Sequence, residues 1–164
     1  MKRKLTFLMF IFFLIHIKPL IAYADYYKVN VTRKSSNIYK VTGKEIYIFT
    51  KYCYEYVYYS DAILDMHGYT GSIIFLEENQ KCDVTGVYGP VELPSGTYEI
   101  KVTYRSDNWY EVFGTDIMLK ISLCLKLSIL EEAILKVYPG NSAKIIFNDG
   151  SEYLVDGIFV RLLL

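Results

Sequence analysis

The chain has 164 residues, 52% of them hydrophobic and 16% aromatic, with 18 basic and 18 acidic side chains and a formal charge of zero. Setting aside Lys2, Arg3, Lys4 and Lys18 near the start leaves 14 basic against 18 acidic residues, net −4. That balance argues against nucleic acid or anionic lipid as a general electrostatic partner.

Residues 1–24 read as a secretory signal peptide. Lys2-Arg3-Lys4 is the charged start, Leu5 to Ile17 the apolar stretch, and Ala22-Tyr23-Ala24 the small-x-small site, so cleavage is expected before Asp25. The competing reading is an uncleaved anchor, but Lys18-Pro19 interrupts a stretch already short of the ~20 residues of a membrane span. The mature chain, residues 25–164, is expected to be periplasmic or secreted and not membrane-embedded.

From Tyr27 the chain states one pattern twice. Tyr27-Lys-Val-Asn-Val-Thr-Arg-Lys-Ser-Ser-Asn-Ile-Tyr-Lys-Val-Thr-Gly43 returns 71 residues later as Tyr98-Glu-Ile-Lys-Val-Thr-Tyr-Arg-Ser-Asp-Asn-Trp-Tyr-Glu-Val-Phe-Gly114. The same offset links Cys53 to Cys124 and Ala62-Ile-Leu64 to Ala133-Ile-Leu135. A period of this kind predicts two tandem copies of one unit, residues 25–88 and 96–164. Between them, residues 89–95 hold two prolines and a glycine and read as a short, stiff connector.

Each unit reads as a series of about six short β-strands in a small antiparallel barrel or roll. Tyr27, Val29 and Val31 alternate with polar residues, as do Tyr98, Ile100 and Val102. Turn clusters at Ser35-Ser-Asn37 and Ser106-Asp-Asn108 precede a short strand, and Gly43 and Gly114 turn the chain again. A long alternating run follows. Ile117, Leu119, Ile121, Leu123, Leu125, Leu127 and Ile129 take every second place, matched by Ile46, Ile48, Thr50, Tyr52, Tyr54, Tyr56 and Tyr58. Helical spacing competes in the second copy, but the aromatic-dense first copy favours strand. Fourteen residues of strand are too long for so small a unit, so a bulge or sharp bend is expected near the cysteine. The shared run of large side chains predicts a covered face, with core packing favoured over binding. Any exposed aromatic patch is then expected on the opposite face, at Tyr47, Phe49 and Tyr59.

Three cysteines follow the signal. Cys53 and Cys82 are expected to form a disulfide tying the long strand to the last strand of the first unit. The counterpart of Cys82 is Tyr153, which leaves Cys124 unmatched. Its bland role is a buried thiol packed under Tyr153; its sharper role is an intermolecular disulfide joining a dimer, or a reactive thiol. No CxxC or HxxxH spacing occurs and His67 is the one histidine beyond the signal, so no metal site, cofactor or catalytic residue is assigned. Glu77-Glu78 and Glu131-Glu132 fall in predicted turns. An outer-membrane barrel is disfavoured by the frequency of turn signals.

Thr50-x-x-Cys53-Tyr-Glu-Tyr, Asp61-Ala-Ile-Leu64, Ile74-Phe75 and Lys81-Cys82-Asp-Val84 together resemble a pattern in short uncharacterised bacterial secreted proteins. That resemblance implies no activity and no functional residues. The expectation from the chain is a non-catalytic exported β-repeat protein of the cell envelope that binds another protein or a glycan, or a ligand at the junction of its two halves. The alternatives are an envelope enzyme inhibitor or protective factor, which would present the turn His67–Gly71 or 139–142 to a target's cleft, and a small hydrolase with a carboxylate dyad.

Overall fold

The computed structural model of the protein describes residues 25–124, 126–140 and 142–164; the expected signal peptide lies outside them. Alternating apolar and polar residues, broken by Asn- and Gly-bearing turns, give strands throughout, and the described residues are all-β. The first six strands are β1 (Asp25–Ser35), β2 (Ile38–Val41), β3 (Tyr47–Lys51), β4 (Ser60–His67), β5 (Thr70–Phe75) and β6 (Gln80–Pro90). The second six are β7 (Gly96–Ser106), β8 (Trp109–Val112), β9 (Ile117–Ile121), β10 (Glu131–Val137), β11 (Ala143–Phe147) and β12 (Glu152–Arg161).

Antiparallel pairing closes β1–β6 into a six-stranded barrel in the order β1-β2-β3-β6-β5-β4. Strands β7–β12 pair in the corresponding order and close a second ring. Closure is what protects backbone groups that an open edge would expose. The longest strands, β1, β6, β7 and β12, each pair with two ring neighbours along different halves of their length, and bulges let them turn the corner. In each ring three strands form a meander and the fourth returns beside the first, a Greek-key arrangement.

Each barrel is filled by its own inward face. Val31, Tyr39, Ile48, Leu64, Met66, Ile73, Phe75 and Val84 are buried in the first, and Val102, Tyr110, Leu119, Ile121, Leu135, Ile145, Phe147 and Val155 in the second. The rings meet where the end of β6 pairs with the end of β12, Tyr88 opposite Arg161, Gly89 opposite Val160 and Pro90 opposite Phe159. A third core covers this seam: Ile38, Tyr47, Trp109, Met118 and Phe159 are buried, with Phe49 and Tyr88 packed on them. Its rings touch edge to face, with Tyr47–Trp109 at 4.8 Å, Tyr47–Phe159 at 5.2 Å and Phe49–Tyr88 at 5.0 Å.

The stretch expected to connect two units has another role. Gly89 and Pro90 belong to β6, while Val91 and Leu93 pack into the second barrel's core, with Val91 N–H bonded to the Ile158 carbonyl at 2.9 Å. The C-terminal tail makes the reciprocal contact. Leu162 and Leu164 pack into the first barrel's core, Leu162 N–H on the Val87 carbonyl at 2.8 Å. Each barrel is thus sealed by apolar residues that follow the last strand of the other.

Candidate functional site

The long strand expected after Gly43 and Gly114 does not form. β3 ends at Lys51 and β9 at Ile121, and irregular chain then carries each ring from its third strand to its fourth. The reason is topological. The Greek-key connection must cross the end of the β1–β2 hairpin, so its backbone bonds go to that hairpin and not to a ladder. Tyr52 and Tyr59 at its ends, like Leu123 and Leu130, have positive φ, between 49° and 56°, which breaks the extended run.

The first connection is tied down at several points. Cys53 is fully buried and bonded to Cys82, as expected, with Cα atoms 5.5 Å apart. Asn37, itself in a left-handed turn, accepts Cys53 N–H on Oδ1 at 2.8 Å. The Tyr39 hydroxyl lies 3.1 Å from Cys53 Sγ and 3.0 Å from the Glu55 carbonyl it donates to. Val57 enters the core, and its carbonyl accepts Arg33 N–H at 2.9 Å; Tyr59 N–H donates to Thr32 Oγ1 at 3.1 Å.

The second connection repeats these bonds 71 residues on. Tyr110 donates to the Lys126 carbonyl at 2.7 Å and lies 3.0 Å from Cys124 Sγ; Tyr104 N–H reaches the Ser128 carbonyl at 2.8 Å; Leu130 N–H donates to Thr103 Oγ1 at 3.1 Å. The Cys124 thiol is buried with Tyr110 as its hydrogen-bond partner, while Tyr153 packs on the same core. A partner's thiol does not reach it without local opening.

Anchoring Cys53 and Val57 inward turns the alternate residues outward. Tyr52, Tyr54, Tyr56 and Tyr58 are 72–87% exposed, as are Leu123, Leu127 and Ile129 at 75–86%. The face expected to be covered is the exposed one. The residues expected as an exposed patch are correspondingly divided. Tyr47 is buried at the seam and Phe49 packs against it, whereas Tyr59 is exposed and stacks edge-on to Tyr58 at 4.4 Å. Alternation in the sequence showed two faces; only the location of the core shows which is wet.

Beside the tyrosine row lies a shallow groove of about 630 Å³, lined by Arg33, Lys34, Ser35 and Ser36 from the β1–β2 corner and by Tyr56, Val57 and Tyr58. The Arg33 guanidinium sits 3.9 Å from the Tyr56 ring centroid. The charged residues here gave no motif in the sequence, because Arg33 and Tyr56 lie on different elements.

The remaining acids and His67 are solvated or paired. His67 lies 3.3 Å from Asp65 on the outer face of β4. Glu131 accepts from Ser128 Oγ at 2.6 Å and pairs with Lys126 at 2.6 Å; Glu132 pairs with Lys101 at 3.1 Å; Glu77 and Glu78 are exposed. Among the described residues no group of three or more His, Cys, Asp or Glu side chains is placed to hold a metal. The turn after His67 is bonded to the C-terminus, Gly68 N–H to the Leu164 carbonyl at 2.9 Å, so it is not a free projecting loop. No protein-family model, curated protein or solved structure matches this chain.

Proposed function

We propose that this chain is an exported, non-catalytic binding protein of the cell envelope, built as two copies of one β unit, whose Greek-key connections are its recognition elements. The observation that carries this is the row Tyr52, Tyr54, Tyr56 and Tyr58, largely exposed on a backbone held by a disulfide and several hydrogen bonds. Tyrosine presents large contact area at low entropic cost, and an anchored loop loses little freedom on binding. The Cys53–Cys82 bridge fits an oxidising compartment, in keeping with the signal-like start. In the second unit aliphatic residues stand on the matching connection, so the two units present different chemistry from one scaffold.

The test is capture from envelope extract with the protein processed from its own full-length chain. Replacing Tyr52, Tyr54, Tyr56 and Tyr58 together by serine is expected to abolish capture while thermal unfolding stays close to wild type. Undiminished capture by the fourfold variant removes the tyrosine row from recognition.

A further inference from the structure

The groove beside the tyrosine row holds polar groups that nothing within the chain satisfies. Arg33 Nε donates to the Ser35 carbonyl at 3.1 Å, but Nη1 is covered from solvent and has no hydrogen-bond partner. Ser35 Oγ, in the same groove, is likewise covered and unpartnered. Two unmatched donors in one groove, one of them against a ring that is itself 87% exposed, favour an incoming acceptor oxygen. Tyr56 takes no part in any of the buried cores.

We propose that this groove binds a carboxylate-bearing glycan of the uronate type, with Arg33 and Ser35 holding the carboxylate and Tyr56 and Tyr58 covering the sugar rings. The proposal rests on reading the first Greek-key connection as a binding element and assigns its ligand class. A planar carboxylate matches the guanidinium fork, and Lys34, exposed at the rim, adds a second cation. Sugar rings offer a C–H face bordered by hydroxyls, which suits an aromatic body with a polar tip. A protein partner fits less well. Val57 is the one aliphatic lining residue and it faces the core, so the groove offers no apolar pocket for an anchor side chain. The net charge of −4 over residues 25–164 means that attraction is local to these cations and not a property of the whole surface.

The second unit is an internal control. Where the first has Arg33, Lys34, Tyr56 and Tyr58, the second has Tyr104, Arg105, Leu127 and Ile129, and Arg105 is engaged by Glu111. The chemistry that recognises a carboxylate is confined to one connection.

The experiment is calorimetric titration of the signal-processed protein with an oligogalacturonate, a neutral galactose oligosaccharide of equal length and an oligoglutamate peptide. Saturable binding of the uronate is expected, with the neutral sugar and the peptide at least about tenfold weaker. Arg33→Gln, and the pair Tyr56→Ser with Tyr58→Ser, are each expected to weaken uronate binding about tenfold or more. Lys34→Gln, at an exposed site that does not endanger folding, is expected to weaken it a few-fold, and Leu127→Ser with Ile129→Ser not at all. Absence of uronate binding, equal binding of the neutral sugar, or uronate binding indifferent to Arg33 and Lys34 overturns the proposal. Preference for the peptide overturns it in favour of an acidic protein. Envelope capture that still depends on the tyrosine row in any of these cases leaves the binding-protein reading standing while the ligand class falls.

Discussion

Tyr39 and Tyr110 occupy matching places on β2 and β8, and each directs its hydroxyl to a carbonyl and a sulfur of its connection. Burial pushes the Tyr39 phenol up to about 12, with Glu55 adding to the rise and Arg33 opposing it. Burial, and then the hydrogen bond with Cys124, pushes Tyr110 up as well. A raised folded-state value means the folded chain holds the phenolic proton more tightly than the unfolded chain, which releases it near 10. The stabilising contribution is therefore complete below about pH 10 and is lost as pH rises to about 12. Denaturant midpoints across that window should fall with pH, and Tyr39→Phe should flatten the fall; an unchanged slope would exclude Tyr39 as its source. The pairing of Cys53 with Cys82 was legible because Tyr153 stands at the matching place in the second unit. The partner of Cys124 was not, because no pattern in the sequence links the thiol to Tyr110, which it meets only when the connection crosses the hairpin.

The connections show how an element can keep its pattern and change its meaning. Residues 52–58 and 123–129 alternate like strands in the sequence, yet 52–58, 123–124 and 126–129 hold no place in a ladder. Small or slender groups, Cys53 and Val57 or Cys124 and Ser128, go inward where the hairpin leaves little room, and the large side chains go out. Single changes of Tyr52, Tyr54 or Tyr58 to serine are therefore expected to shift stability by less than about 0.5 kcal/mol, the usual size for exposed sites. Val57→Ala is expected to cost about 1–3 kcal/mol and Cys82→Ser about 2–4 kcal/mol. Urea unfolding of the oxidised proteins checks the series, and a large loss at the tyrosines would return that face to the core.

The two barrels form one body, because each seals the other. Val91 and Leu93 close the second barrel, Leu162 and Leu164 close the first, and the only tryptophan, Trp109, is buried at the seam between them. Loss of either tail opens the core of the opposite barrel, so the rings are expected to unfold together. Trp109 fluorescence and far-UV dichroism should report one coincident transition. Removing residues 162–164 should destabilise the whole protein by about 2–5 kcal/mol, the cost of losing the partly buried Leu162 and Leu164 and uncovering the core they pack on. Two separated transitions, with the second barrel surviving the first, would show the seam to be weak.

Local information sufficed for much of this protein. Period-2 alternation with Asn and Gly turns marks most of the strands, the 71-residue offset marks matching positions, and the odd cysteine count with its internal alignment singles out Cys53–Cys82. These are properties of neighbouring residues or of one segment set against another. Tertiary structure alone decided that the alternating runs cross a hairpin, that their large side chains face water, that Tyr47 lies at a seam, and that Arg33 meets Tyr56 in a groove. A pattern along the chain states that two faces differ; which one is buried depends on what the rest of the chain packs against it.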